Sequence, residues 1–184
     1  MMDRALDQLR RQRRVAVTAG LGGLSGLISA LTFSLEETWY GGYAPGAVFG
    51  LLIGLLLMIF QLAGPRRALL FVVFSVMSWH IALQFALYFV EVIQPYIAGD
   101  TARMAVTGLL AGMLGAALLG AAAVWLFVWA RDGRRFAVTA ALGGLTGLAL
   151  AIDWGDGKPL FIAWQACFAL CLASGFPRRA DGLP

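Results

Sequence analysis

Residues 68–90, ALLFVVFSVMSWHIALQFALYFV, form an apolar stretch long enough to cross a bilayer as one helix. The only histidine of the chain, His80, lies near its middle. On a helix, His80, Gln84, Tyr88 and Glu91 follow one another at spacings of four, four and three residues, so they share one narrow face. A polar stripe that runs from mid-membrane to one surface is costly to expose to lipid. We therefore expect the stripe to face protein or water.

The composition of the chain is typical of a membrane protein. Of the 184 residues, 60% are hydrophobic and only 13% are charged, about half of the roughly 25% that is usual in soluble domains. Apolar runs occupy nearly the whole length, which leaves no room for a separate soluble domain. We predict an all-α, single-domain bundle of six transmembrane helices in the cell membrane. The predicted spans are approximately 15–35, 47–63, 68–90, 103–130, 136–152 and 160–175.

The distribution of charge predicts the topology. Of the 14 Lys and Arg residues, only Arg103 and Lys158 fall on the loops at one end of the predicted spans. Five acidic residues fall at that same end: Glu36, Glu37, Asp100, Asp153 and Asp156. Positively charged loops remain in the cytoplasm, so both termini and the arginine pairs are predicted to be cytoplasmic. The net charge of +4 is explained by topology, and nucleic acid is not an expected partner.

Two segments of the chain repeat one another. Residues 13–27, RRVAVTAGLGGLSGL, match residues 134–148, RRFAVTAALGGLTGL. Each copy is followed by an outer loop with acidic residues and Trp, by another apolar span, and by Pro-Arg-Arg-Ala, at 65–68 and 177–180. This pattern predicts a duplicated two-helix hairpin, formed by spans 1 and 2 and by spans 5 and 6 in the same orientation.

Glycines at helical spacing predict where helices approach closely, because small faces allow backbone-to-backbone packing in membranes. The candidate packing glycines are Gly22, Gly26, Gly46, Gly50, Gly54, Gly108, Gly112, Gly143 and Gly147. We expect spans 1 and 5 to pack as equivalent partners, one option being against each other. The middle hairpin would then lie in or beside the groove between two similar halves.

The available chemistry favours transport over catalysis. His80 can titrate near neutral pH and pass protons, with Gln84, Tyr88 and Glu91 extending a hydrogen-bonded path outward. Gln165, in the outer part of span 6, is a further polar candidate for the path. The alternative is a neutral His80 that bonds one neighbour and holds the bundle together.

Enzymatic chemistry and resident cofactors have no support in the residue pattern. The sequence shows no supported Ser/His/Asp arrangement, no paired membrane carboxylates and no phosphate loop. Cys167 and Cys171 are one helical turn apart and are interpreted as packing residues. With a single histidine and no Cys/His cluster, neither a zinc site nor a haem site is expected.

Two classes of function remain. In the first, the protein is a small transporter or channel that moves protons or a small polar solute along the stripe of the third helix. In the second, it is a non-catalytic accessory subunit whose glycine faces dock helices of a larger membrane complex. The expected partners are the lipid bilayer and either further copies of the chain or other membrane subunits.

Overall fold

The computed structural model describes residues 2–35, 42–152 and 158–176, and every regular element in these residues is helical. The six α-helices are α1 (Met2–Leu35), α2 (Ala44–Ile59), α3 (Pro65–Ile93), α4 (Asp100–Leu126), α5 (Gly133–Gly147) and α6 (Lys158–Ser174). Short 3-10 helices follow α4 at Val128–Ala130 and α5 at Leu148–Ala151. The predicted all-α fold class is confirmed for the described part of the chain.

Several helix starts follow from local sequence. A proline lies in the first turn of both α2 and α3, where its missing N–H leaves no helical hydrogen bond unmade. Asp132 caps α5, because its carboxylate accepts hydrogen bonds from the backbone N–H groups of Arg134 (3.0 Å) and Arg135 (3.4 Å). Two of the arginine pairs, Arg66-Arg67 and Arg134-Arg135, therefore lie in the first turns of α3 and α5.

Three helices are long and apolar enough to cross a membrane: residues Gln8–Thr32 of α1, the whole of α3 and the whole of α4. Helices α2 and α6 are apolar but shorter, with 16 and 17 residues. Helix α5 has only 15 residues before its 3-10 extension. Six membrane spans therefore remain a prediction, whereas three helices long and apolar enough to span are observed.

The helix ends differ from the predicted spans in two informative places. Helix α1 begins at Met2, so the polar start and the first span form one continuous helix. Helix α4 ends at Leu126, four residues before the predicted end of the fourth span. The backbone becomes extended at Phe127, whose buried ring stacks on Trp129 with a centroid distance of 5.0 Å. The gain from burying this aromatic pair stabilises the early end of the helix.

The helices form a closed ring in which each packs against the next along the chain and α6 returns to pack against α1. Helices α1 and α5 do not form one of these packed pairs, so the two copies of the repeat do not face each other. A buried apolar cluster fills the centre and joins α2, α3, α4 and α6. Its largest fully buried members are Phe49, Ile53, Leu57, Phe71, Leu119 and Phe127.

Candidate functional site

The predicted polar stripe of α3 lies mainly on the outside of the bundle. The His80 ring stacks on Tyr43, at the start of α2, with a centroid distance of 4.5 Å and an interplanar angle of 17°. Beyond His80, the side chains of Gln84, Tyr88 and Glu91 are exposed, Tyr88 by 70%. The stripe therefore lines no internal channel within the described part of a single copy.

Gln165, the other predicted polar residue, is fully buried and lies in a separate network. Its side-chain oxygen accepts a hydrogen bond from Ser25 (2.5 Å), and its amide nitrogen donates to Ser29 Oγ (3.0 Å) and to the carbonyl of Pro45 (3.4 Å). These bonds join α6 to α1 and α2. This uncharged network pairs its polar groups with one another. Its role is therefore structural: it holds α1, α2 and α6 together.

The predicted packing glycines lie at three different crossings. Gly22 and Gly26 approach the backbone of α6, and Gly46, Gly50 and Gly54 approach α3. On α4, Gly108 and Gly112 meet Gly147 and Gly143 of α5. The two copies of the repeat thus use equivalent glycines on different partners, α6 in one case and α4 in the other.

A cavity of about 470 Å³ lies between α3, α4, the 3-10 turn after α5, and the start of α6. The aromatic part of its wall is formed by Trp79, Phe161 and Trp164. The Trp79 ring lies 5.0 Å from that of Phe161 and 6.0 Å from that of Trp164, centroid to centroid. Small residues of α4, among them Gly108 and Gly112, form the opposite side. Of the glycines on this side, Gly115 faces the aromatic wall, because a Cβ atom added there would lie 3.5 Å from Trp164 Cζ2.

Two residues of the lining each carry a buried polar atom without a hydrogen-bond partner among the described residues: Trp79 Nε1 and Thr107 Oγ1. Thr107 is only 1% exposed. The hydroxyls of four other helical threonines donate to the carbonyl four residues earlier: Thr18, Thr32, Thr139 and Thr146. Thr107 does not make this bond, and its hydroxyl is covered by surrounding protein atoms.

One end of the cavity is marked by exposed groups. Asp100 and Thr101 are exposed and belong to the lining, and Asp100 forms an ion pair with Arg103. These residues lie at the start of α4, the end that the charge distribution predicts to be outside the cell. The arrangement is a largely apolar chamber in the half of the bundle that contains the start of α4, with its polar border at the end of the helices.

The sequence pattern did not predict this cavity. The one feature of the sequence that could have pointed to this region is Thr107, a single hydroxyl in a run of small and apolar residues on α4. Cys167 and Cys171 are free and half-buried in α6, outside the cavity lining. The described residues contain no group of three or more His, Cys, Asp or Glu side chains placed to hold a metal ion.

Comparison with known proteins gives no match to a protein-family model, to a curated protein or to a solved structure.

Proposed function

We propose that this chain is a small, non-catalytic, multi-pass protein of the cell membrane that binds a small molecule in the cavity between α3, α4 and α6 and moves it across the bilayer. The observation that supports this role is the cavity itself, which combines a largely apolar and aromatic lining with polar residues, Asp100 and Thr101, at its border. Ligand pockets typically have this composition, a mostly hydrophobic wall with a few polar groups that fix orientation.

Membrane insertion is supported by the outer surfaces of the helices. Large apolar side chains are exposed along α1, α2 and α3: Leu24, Leu27, Leu31, Leu51, Leu55, Ile59, Leu69, Val73 and Met77. In water such a surface would drive association, whereas in a bilayer it contacts lipid. We propose six spans, in which the short helices α2, α5 and α6 are accommodated by local adjustment of the bilayer.

The proposed topology, with both termini in the cytoplasm, is supported by contacts at the arginine end. Arg11 donates a hydrogen bond to the carbonyl of Ser174 (2.9 Å), and the Arg14 guanidinium lies 5.5 Å from the centroid of the Phe60 ring. The start of the apolar part of α1 and the ends of α2 and α6 therefore lie together. Arginines gathered at one end fit the cytoplasmic face.

The proposed duplication of the hairpin is supported by equivalent local bonds. Thr18 donates to the carbonyl of Arg14 at 2.7 Å, and Thr139 donates to that of Arg135 at 2.8 Å. Ser25 bonds the carbonyl of Gly22, as Thr146 bonds that of Gly143. Of the two similar helices that a duplication would give, only the second, α5, packs against α4.

The test is to identify what the cavity holds. Protein is purified gently from its host membranes, and bound small molecules are released with solvent and measured by mass spectrometry. Wild type should carry a compound that Ala86→Phe lacks, because Ala86 lines the cavity and a phenyl ring would fill it. Ala121→Phe, at an exposed position of α4, is the matched control and should retain the compound.

Vesicles reconstituted with the protein and loaded with that compound should then release it faster than protein-free vesicles, and Ala86→Phe should remove the difference. If wild type and Ala86→Phe carry the same compounds, the cavity is not the binding site. If the compound binds but does not cross the bilayer faster, the protein is a binding protein and the transport role is wrong.

A path along the α3 stripe remains a second proposal for protons or a polar solute, formed between copies of the chain or with another subunit. The exposure of Gln84, Tyr88 and Glu91 favours a partner on this face, because the outside of a single copy cannot enclose a path. Native mass spectrometry separates the cases: a stoichiometric foreign subunit would support the accessory role, and a homo-oligomer would support a shared path. In vesicles, His80→Ala should then change flux without reducing expression, and unchanged flux would count against the path.

A further inference from the structure

We infer that the cavity between α3, α4 and α6 is a slot for one hydrocarbon chain of an amphiphile from the outer leaflet, whose polar head remains at Asp100 and Thr101. This inference rests on the proposed function, since it takes the cavity to be the binding site and the start of α4 to lie outside the cell. It adds the chemical class of the ligand and the orientation in which it enters.

The shape of the cavity is long and narrow. Its described lining follows α3 from Trp79 to Val90 and α4 from Gly115 to Asp100, which are about 17 Å and about 22 Å of helix. Spread over this length, the volume of about 470 Å³ gives an average cross-section of roughly 20–30 Å², or about 5–6 Å across. Carbon atoms in contact lie about 4 Å apart. The slot therefore has width for a single chain and not for two chains side by side.

The inner wall of the slot presents hydrocarbon to its contents. Trp164 Nε1 donates a hydrogen bond to the carbonyl of Gly112 (3.2 Å), and Trp79 Nε1 and Thr107 Oγ1 are covered by protein atoms. The other inner lining residues that the structure describes are aliphatic residues, methionine, glycine and Phe161. A polar group placed there would lose its water without gaining a side-chain partner, which is costly. A hydrocarbon chain has no such cost.

The polar residues at the border of the slot lie together at one end. Asp100 and Thr101 are exposed at the start of α4, and Asp100 forms an ion pair with Arg103. In the proposed topology this end lies at the outer surface of the membrane, among the head groups of the outer leaflet. An amphiphile whose chain fills the slot therefore keeps its head beside water and beside this ion pair, so that no polar group has to be buried.

The source of the chain follows from two residues that the slot shares with the outside of the bundle. Leu87 of α3 and Met104 of α4 belong to the lining, and they are also 55% and 38% exposed. In a membrane, lipid chains would contact these side chains from outside. The nearest occupant for the slot is therefore a chain that is already in the bilayer and does not have to pass through water.

Palmitoyl lysophosphatidylcholine tests the inference, because it has one hydrocarbon chain and one polar head. Two photoreactive forms are compared, one with a diazirine at the end of the chain and one with a diazirine beside the head. Full-length protein in phosphatidylcholine nanodiscs is irradiated with each form, and the labelled residues are mapped by mass spectrometry. The chain-end probe should label Ala82 and Ala111, which line the slot but are buried from the outer surface. The head-proximal probe should label residues 100–104.

Substitutions that narrow the slot separate its contents from the surrounding lipid. Ala86→Phe on α3 should reduce chain-end labelling of Ala82 and Ala111 by about fivefold or more, because the added ring occupies the same space. Ala151→Phe, on the other side of the slot, should have the same effect. Ala121→Phe, the matched change at an exposed position of α4, should leave the labelling unchanged.

Two further controls test fold and shape. Labelling of the lipid-facing residues Leu51 and Leu55 should be the same in every variant and reports that the protein is folded. Unlabelled lysophosphatidylcholine should compete with the chain-end probe for the slot. Cholesterol at the same mole fraction should not compete, because its rigid fused rings are wider than a single chain.

Lack of chain-end labelling at Ala82 and Ala111, labelling that neither Ala86→Phe nor Ala151→Phe reduces, or equal competition by cholesterol would overturn the inference. The proposed function would survive that result if Ala86→Phe still lost an endogenous compound, which would then belong to another chemical class. Conversely, ordered labelling by the two probes without faster movement across vesicles would support the chain as the occupant while contradicting the transport role.

Discussion

At the scale of single residues, Gln165 shows how one polar side chain can organise a membrane bundle. It is completely buried and bonds to groups on two other helices, Ser25 and Ser29 on α1 and the carbonyl of Pro45 on α2. The Ser25 hydroxyl has one proton but lies near two acceptors, the Gln165 oxygen and the carbonyl of Gly22. The two bonds therefore compete, and the serine is left with a partner if the glutamine is removed.

Replacement of Gln165 by Leu should for this reason lower the free energy of unfolding by only about 1–2 kcal/mol. The double variant with Ser25→Ala should cost less than the sum of the two single variants, because both remove the same bond. Unfolding of the purified protein by heat or by SDS, followed by circular dichroism, measures these values. Strict additivity would show that the Ser25–Gln165 bond contributes nothing of its own.

At the scale of helices, the glycines of α1 differ sharply in their surroundings. A Cβ atom added at Gly26 would lie 2.5 Å from Ile162 Cα and 2.6 Å from the carbonyl oxygen of Phe161 on α6, whereas Gly20 has no atom within 4 Å. In the second copy of the repeat, alanine occupies the position equivalent to Gly20, at Ala141. Gly26 is thus required by a close approach, and Gly20 is not.

We expect Gly26→Ala to separate α1 from α6 and to lower the free energy of unfolding by about 1–3 kcal/mol, the usual cost of overpacking. Gly20→Ala, the matched change on the same helix, should be neutral or stabilising by up to about 1 kcal/mol, since alanine favours a helix. The same unfolding measurement compares both. Equal effects of the two substitutions would mean that the α1–α6 contact does not depend on a bare backbone.

Apolar periodicity was sufficient to predict an all-helical chain with long apolar helices, because hydrophobic runs of this length rarely form any other structure. It could not place the end of α4, where the burial of Phe127 outweighs continuation of the helix. It also could not find the cavity, because Trp79, Thr107 and Trp164 meet only through the packing of three helices. The functional prediction was based on the His80 stripe, because its polar residues stand out in the sequence. The residues that line the cavity do not stand out from their apolar neighbours.

At the scale of the whole molecule, α3 is longer than the membrane that it would cross. Its 29 residues extend about 43 Å at 1.5 Å per residue, against a hydrocarbon core of about 30 Å. Helix α2 begins opposite His80, as the stacking of Tyr43 on His80 shows. With its arginine end at the inner surface, α3 would carry Tyr88 and Glu91 to or beyond the outer surface. At that surface, exposing these two polar side chains to water would cost little free energy.

Cysteine accessibility tests this placement in a variant from which Cys167 and Cys171 have been removed. A membrane-impermeant maleimide added to intact cells should label Glu91→Cys, whereas Arg66→Cys should be labelled only after the membrane is opened. Met77→Cys, which is exposed in mid-helix, should resist labelling in both conditions because lipid covers it. Labelling of positions 66 and 91 from the same side would contradict the topology.

The ring closes through α1 and α6, and this has a consequence for the order of synthesis. Helix α4, one of the two ring neighbours of α5, is synthesised just before α5, but the partner of Ser25, Gln165, comes 140 residues further along the chain. Until α6 is made, the glycine face of α1 and its two buried serines have no permanent neighbour. A growing chain halted before Lys158 would therefore be an open arc of helices, and a quality-control protease of the membrane should remove it faster than the finished ring.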